Sequence, residues 1–200
     1  MADSLVVIRA GTTDYDLQGR IRGTLDMPLA AEGVAEARAL ATRLAASPID
    51  ALYVAPDRAS LETARHALGG LGLRPRQLDD LANFDQGLWQ GMLVDDIRVK
   101  QPRVYRQWQD NPWAVSPPDG ELLEEACSRV ESALAALRRR HPRGRIAVVV
   151  PAPLDQVVRW LTAGAAIDDL WSRGPAESAV VEVPLAAQWR PAARLQRARA

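Results

Sequence analysis

Few residues in this chain could do covalent or proton-transfer chemistry. Among 200 residues there are two histidines, His66 and His141, and one cysteine, Cys127, so the choice of nucleophile or base is narrow. Cys127 has no second cysteine to pair with and no histidine at metal-ligand spacing, so neither a disulfide nor a metal site is expected. It falls inside a helical pattern, where a thiol usually serves as a small buried apolar group. His66 follows Thr63 on a helical stretch, and His141 ends the run RRRHPRG, where a helix C-terminus favours cations. Both read as structural. Arg9 ends a short apolar run; it is either an anion hook or, as expected here, half of an internal ion pair with Asp14, Asp16, Asp57 or Asp85.

Basic residues cluster from Arg138 to Arg145, which a solvated helix end explains more simply than a polyanion site. Six tryptophans against one phenylalanine is an unusual balance, and Trp108 and Trp113 lie close together in VYRQWQDNPWAV. Core positions are expected for them, with a partner-binding patch as the alternative for these two and for Trp189.

The elements that would position these residues alternate in type. Leu5 to Ile8 is a β-branched run suited to a buried strand that opens a loop at Arg9. Ala31 to Ala46 has helical spacing, and Ile49 to Val54 reads as a second strand. A helix follows through Ser60 to Leu68, with Pro56 and Asp57 at its start and Gly69 and Gly70 at its end. Another is expected from Leu122 to Arg140, between the turn-forming Pro117 to Gly120 and the Pro142 and Gly144 stop. The strand Ile146 to Val150, a helix from Leu154 to Ala163 and a strand near Val180 to Val183 complete the order. Such alternation predicts an α/β domain with a mainly parallel sheet, whose sites gather at strand C-termini, here the loops at Arg9, Ala55 and Pro151.

Composition narrows the function classes. At 48% apolar and 25% charged, the chain suits one compact domain, and Lys+Arg equals Asp+Glu at 25 each, which argues against a nucleic-acid partner. The opening MADSLVVIRAG is too short in apolar length for a signal-peptide core or a membrane span, so no membrane association and a cytoplasmic location are expected. The expected domain is 1–189, followed by a basic Ala/Arg-rich tail over 190–200.

The stretch LVVIRAGTTDYDLQGRIRGTLDMPLAAEGVAEARALATRL resembles the opening of the histidine phosphatase superfamily, the phosphoglycerate-mutase-like kind, where a strand ends in Arg-His-Gly. APDRASLETA, LDDLANFDQGLWQG, PPDGELLEEACSRV and VVVPAPLDQVVRWL resemble later family segments in the same order. Gly11, Pro28, Trp89 and Gly91 stand at fold-defining family positions. The resemblance implies a three-layer α/β/α sandwich around a mainly parallel sheet, and a pocket built from Arg9, Ala10, Asp16, Arg20, Arg58, Ala59, Asn83 and Ala152.

In the family, as the resemblance implies, an imidazole attacks phosphorus and carries the phosphoryl group. Ala10 stands in that histidine's place, and Ala152, flanked by Pro151 and Pro153, stands in the place of a second histidine that stabilises the transferring charge. The second family arginine falls on Ala59; Arg58 lies one residue earlier, about 100° away around a helix, and is expected to point out of the pocket. The proton-donating glutamate falls on Asn83, which has no ionisable proton. Only Arg9 and the outer Arg20 keep family identity, while an asparagine becomes Asp16. No catalytic residue and no cofactor are expected. Any other acid-base chemistry would fall to Asp57 or Asp85.

The leading expectation is therefore a catalytically inactive pseudoenzyme, acting through protein binding or scaffolding with a partner or a second copy of itself. The alternatives are a phosphatase or phosphoglycerate-mutase-type enzyme with a rebuilt site using Arg9, Arg58 and a carboxylate, or a protein that binds a small anionic phospho-ligand.

Overall fold

The computed structural model describes residues 3–45, 47–167, 170 and 179–185. Its sheet has five strands in the order β3-β2-β4-β1-β5, where β1 is Ser4–Arg9, β2 Ala51–Val54, β3 Arg76–Gln77, β4 Arg145–Val150 and β5 Val180–Pro184. The pairs β1–β4, β4–β2 and β2–β3 run parallel, and β5 closes the edge antiparallel to β1. Helices are α1 Asp14–Leu17, α2 Ala31–Leu44, α3 Arg58–Leu68, α4 Val94–Lys100, α5 Pro102–Asp110, α6 Leu123–Arg140 and α7 Leu154–Ala163.

Side chains alternate across each strand, and this divides the core in two. Val6, Ile8, Leu52, Val54, Ala147 and Val149 face α2 and α3, burying Leu40, Leu44, Ala64 and Leu68. Leu5, Val7, Tyr53, Ile146, Val148 and Val150 face the other way, against α6 and α7 residues such as Cys127, Val130, Leu134, Val157 and Leu161. Helices on both faces of a mostly parallel sheet make the three-layer sandwich.

Several elements differ from expectation. Pro56 precedes α3 instead of lying in its first turn, because Asp57 is the N-cap and accepts from the Ser60 amide at 3.0 Å. Beyond Leu68 the chain tightens into a 3-10 turn, Gly69–Leu71, and leaves through Gly72 at φ 68°. The short helices α1, α4 and α5 were not foreseen, since one or two turns carry too little periodicity to be read. Trp108 is in the core, 3% exposed, edge-on to Trp89 at 5.9 Å, and Trp113 stacks at a tilt on Trp160 at 5.4 Å, so both serve packing. Trp189 and the 190–200 tail lie outside the described residues.

Arg145 belongs to the sheet, paired with Glu182 on β5 at 3.0 Å. Burial pushes the Cys127 thiol up to about 12, which removes its thiolate at ordinary pH. His141, at the end of α6, lies 2.8 Å by Nε2 from the buried Tyr53 hydroxyl. Burial, with Arg140 and Arg76 nearby, holds this imidazole below its ordinary pKa.

Two consequences can be measured. The unfolded chain protonates His141 at its ordinary value near 6.5, above the folded one, so the unfolded state binds more protons and stability falls as pH drops below that value. Thermal melts from pH 7.5 to 5 are expected to show a fall in Tm that is smaller in His141→Gln. Gly11 is fixed by close approach: a Cβ there would sit 2.6 Å from the Gly33 carbonyl oxygen on α2. Gly11→Ala is expected to cost about 1–3 kcal/mol in chemical denaturation.

Candidate functional site

Parallel strands bring three loops to one edge of the sheet. Arg9 and Val150 are in register at the ends of β1 and β4, and the Ala10 amide donates to the Val150 carbonyl at 2.8 Å. The Ala55 amide, after β2, donates to Val149 at 2.9 Å. Ala10, Ala55 and Pro151 thus emerge side by side, all buried. The first loop is then held from both helices of one layer. The Gly11 amide donates to Thr63 Oγ1 on α3 at 2.9 Å, and that hydroxyl donates onward to Ala59 O at 2.7 Å. Thr12 donates by its amide and hydroxyl to Glu36 on α2, at 3.0 and 2.7 Å.

Beneath this loop, Arg9 is 4% exposed and pairs with Asp155 at 4.0 Å, while Arg159 reaches the same carboxylate oxygen at 2.9 Å. The expected ion-pair partners Asp14, Asp16, Asp57 and Asp85 did not include it. Asp155 begins α7 directly behind Pro153, and its 1% exposure comes from packing that residue distance in sequence conceals. The carboxylates that had been expected serve other ends. Asp16 caps α1, accepting from the Thr13 amide and hydroxyl at 2.7 Å each; Asp57 caps α3; Asp85 accepts from the Gly87 amide at 2.9 Å.

The remaining candidates divide in two groups. Arg58 turns outward: its Nε donates to Glu62 at 2.8 Å and its side chain is 59% exposed. Burial would raise the Glu62 carboxyl, yet the Leu29 amide and Arg58 together hold it below its ordinary value. Ala59 is fully buried under Thr63. Asn83, 4% exposed, spends its amide nitrogen on Gly23 O at 2.8 Å and Ala152 O at 3.1 Å, tying the 19–23 loop to the turn after β4. Asp16, Arg20 and Ala152 line one cavity of about 130 Å3, together with Arg22, Gln86 and Leu170. Arg9, Ala10 and Ala59 lie below that surface, and His66 and His141 are on other parts of the fold. Among the described residues no cluster of His, Cys, Asp and Glu could hold a metal ion, and no helix is long and apolar enough to cross a membrane.

Four residues at this edge escaped the sequence reading: Arg22, Arg129, Asp155 and Arg159. Arg129 grips Glu121 with two nitrogens at 2.6 and 2.9 Å and donates to the carbonyls of Asp80, Ala82 and Asn83, which fixes the segment carrying Asn83. A signal existed for Asp155 and Arg159, an i,i+4 pair in the apolar helix LDQVVRWLTA. Arg9 and Arg159 both meet this carboxylate, so Asp155→Ala is expected to lose about 3–5 kcal/mol in urea unfolding. The double variant with Arg9→Met is expected to recover part of it.

Comparison with known proteins agrees with this architecture. Residues 5–190 match the histidine phosphatase superfamily (branch 1). Phosphoserine phosphatase 1 of Hydrogenobacter thermophilus is 28% identical over 170 residues, covering 85% of this chain and 81% of that protein. A 2,3-bisphosphoglycerate-dependent phosphoglycerate mutase of Brucella anthropi is 32% identical over 139 residues, 65% of this chain and 66% of the mutase. Among solved structures, Bacillus stearothermophilus YhfR superposes with a TM-score of 0.77 at 26% identity, covering 86% of this chain and 85% of that one. The alpha-ribazole phosphatase of Shigella flexneri gives 0.69 at 25% identity, over 88% and 83%. With the sandwich, the strand order and a match along nearly its whole length, the chain belongs to the histidine phosphatase superfamily, branch 1.

Proposed function

We propose that this chain is a member of the superfamily that has lost phosphohistidine chemistry and works by binding, to a protein partner or to a second copy of itself. One observation carries the reading: the residues leaving β1 and β4 at the site are Ala10 and Ala152, whose methyl groups can neither attack phosphorus nor hold a phosphoryl group. Three further features support it. Arg58 faces Glu62, Asn83 spends its N–H groups on backbone carbonyls, and the Arg9 charge is answered by Asp155. A missing general acid by itself removes about 10²–10⁴ in rate.

A second reading, a phosphatase with a rebuilt site, is favoured by the relatives, which are named as phosphatases and a mutase. Turnover separates the two. Pure protein is offered p-nitrophenyl phosphate, O-phosphoserine and 3-phosphoglycerate, with released phosphate and acid-labile phosphoprotein measured. The expected outcome is release no faster than the blank and no phosphoprotein. Release that disappears in Arg9→Gln or Asp85→Asn would establish the rebuilt enzyme instead.

A further inference from the structure

The outer face of α6 is acidic at one end, basic at the other and lined by small neutral side chains between. Its inner side, from Leu123 to Leu137, is buried in the core. At about 100° of turn per residue, Glu125, Ser128, Ser132, Ala136 and Arg139 fall on one stripe of the opposite side, and all five are exposed. Arg129, at the border of the stripe, is turned away to Glu121 and to the carbonyls of Asp80 and Ala82.

The order of the stripe is mirror-symmetric in type about Ser132. Ser128 and Ala136 stand four residues to either side of it, Glu125 and Arg139 seven, and Glu124 and Arg140 eight. Two copies of α6 laid antiparallel across a two-fold axis at Ser132 therefore meet in a single register. Glu125 comes opposite Arg139 of the second copy, Glu124 opposite Arg140, and Ser132 opposite itself. A two-fold contact repeats each pair, so both ends of the contact gain opposite charges and neither gains a like pair. A parallel arrangement would set Glu against Glu and Arg against Arg, so charge alone selects the direction. Ser128, Ser132 and Ala136 leave the middle free of long side chains, which lets the axes approach to the ~8–10 Å of packed helices.

Within the fold these charges are not consumed. Neither Arg139 nor Arg140 meets a carboxylate among the described residues, and Glu125, which accepts from the Leu122 amide at 2.9 Å, stays exposed. An acidic first turn and a basic last turn also suit the dipole of a solitary helix. That effect is confined to the end turns and asks for neither a neutral middle nor equal spacing.

We propose that two copies of this chain dimerise through α6, antiparallel about Ser132, with the acidic start of each helix on the basic end of the other. The proposal rests on the binding reading above, names a second copy as the partner and requires no chemistry at the strand ends. One helix of 18 residues spans about 27 Å, so the contact is smaller than the ~1,200–2,000 Å2 of stable interfaces, and the dimer is expected to be weak and salt-sensitive.

Sedimentation equilibrium of the full chain, over a range of protein and salt concentrations, tests it. A monomer–dimer equilibrium that weakens as salt rises is expected. Arg139→Glu and Glu125→Arg each set like charges at both ends of the contact and are expected to weaken it about tenfold or more. Mixing these two variants re-creates opposite charges at both ends and is expected to restore dimers, which a purely intramolecular role for either residue would not do. Should Glu125→Arg loosen the start of α6, Glu124→Arg mixed with Arg140→Glu reads the same exchange. Ser132→Cys is expected to form a disulfide-linked dimer under mild oxidation, far faster than Val99→Cys on the exposed side of α4. A monomer at every concentration, or a dimer indifferent to salt and to these charges, overturns the proposal. Phosphate release by chains that dimerise in this way counts against the non-catalytic reading alone.

Discussion

One carboxylate, Asp155, is shared between Arg9 and Arg159 at the place where the parallel strands end, and the surrounding edge depends on it. Both arginines are largely removed from water, and a buried guanidinium is tolerable only where an anion stands close. Because Asp155 lies in the first turn of α7, the ion pair also sets how that helix meets β1. The Asp155 charge offsets that of Arg9. A site built around a permanent internal counter-ion has less cationic field to offer a guest at that point.

Charge reappears further along the chain, on Arg22. The same parallel register that buries Arg9 carries the chain out through Ala10 to Thr13, and α1 then turns it back toward residues 91–93. Thr63 and Glu36 tie the first part of this excursion to the α2–α3 layer, and Asn83 ties the 19–23 loop to the turn after β4. The Arg22 charge belongs to a loop braced by hydrogen bonds and not to a strand end.

Much of the fold was legible because its elements bury continuous or strictly periodic apolar surface. The runs at Leu5–Ile8 and Ile146–Val150, and the helical stripe after Leu122, admit few other readings. Elements of one or two turns, such as α4 and the strand Arg76–Gln77, leave no period to detect. Within the site, Ala10, Ala59, Asn83 and Ala152 could be placed by order along the chain, since each sits beside a motif that marks it. Asp155 could not be matched to Arg9, because they are 146 residues apart and meet only when β1 and β4 pair.

Residue types decided which side chains stand after β1 and β4: a side chain's chemistry is local, and no folding gives Ala10 or Ala152 an imidazole. They also decided the layered sandwich, since hydrophobic period is a property of the chain itself. The pairing of Arg9 with Asp155, and the burial of Arg22 and Gln86, were decided by tertiary structure alone. Those outcomes depend on distances and desolvation between residues far apart in sequence, which exist only after the layers have packed.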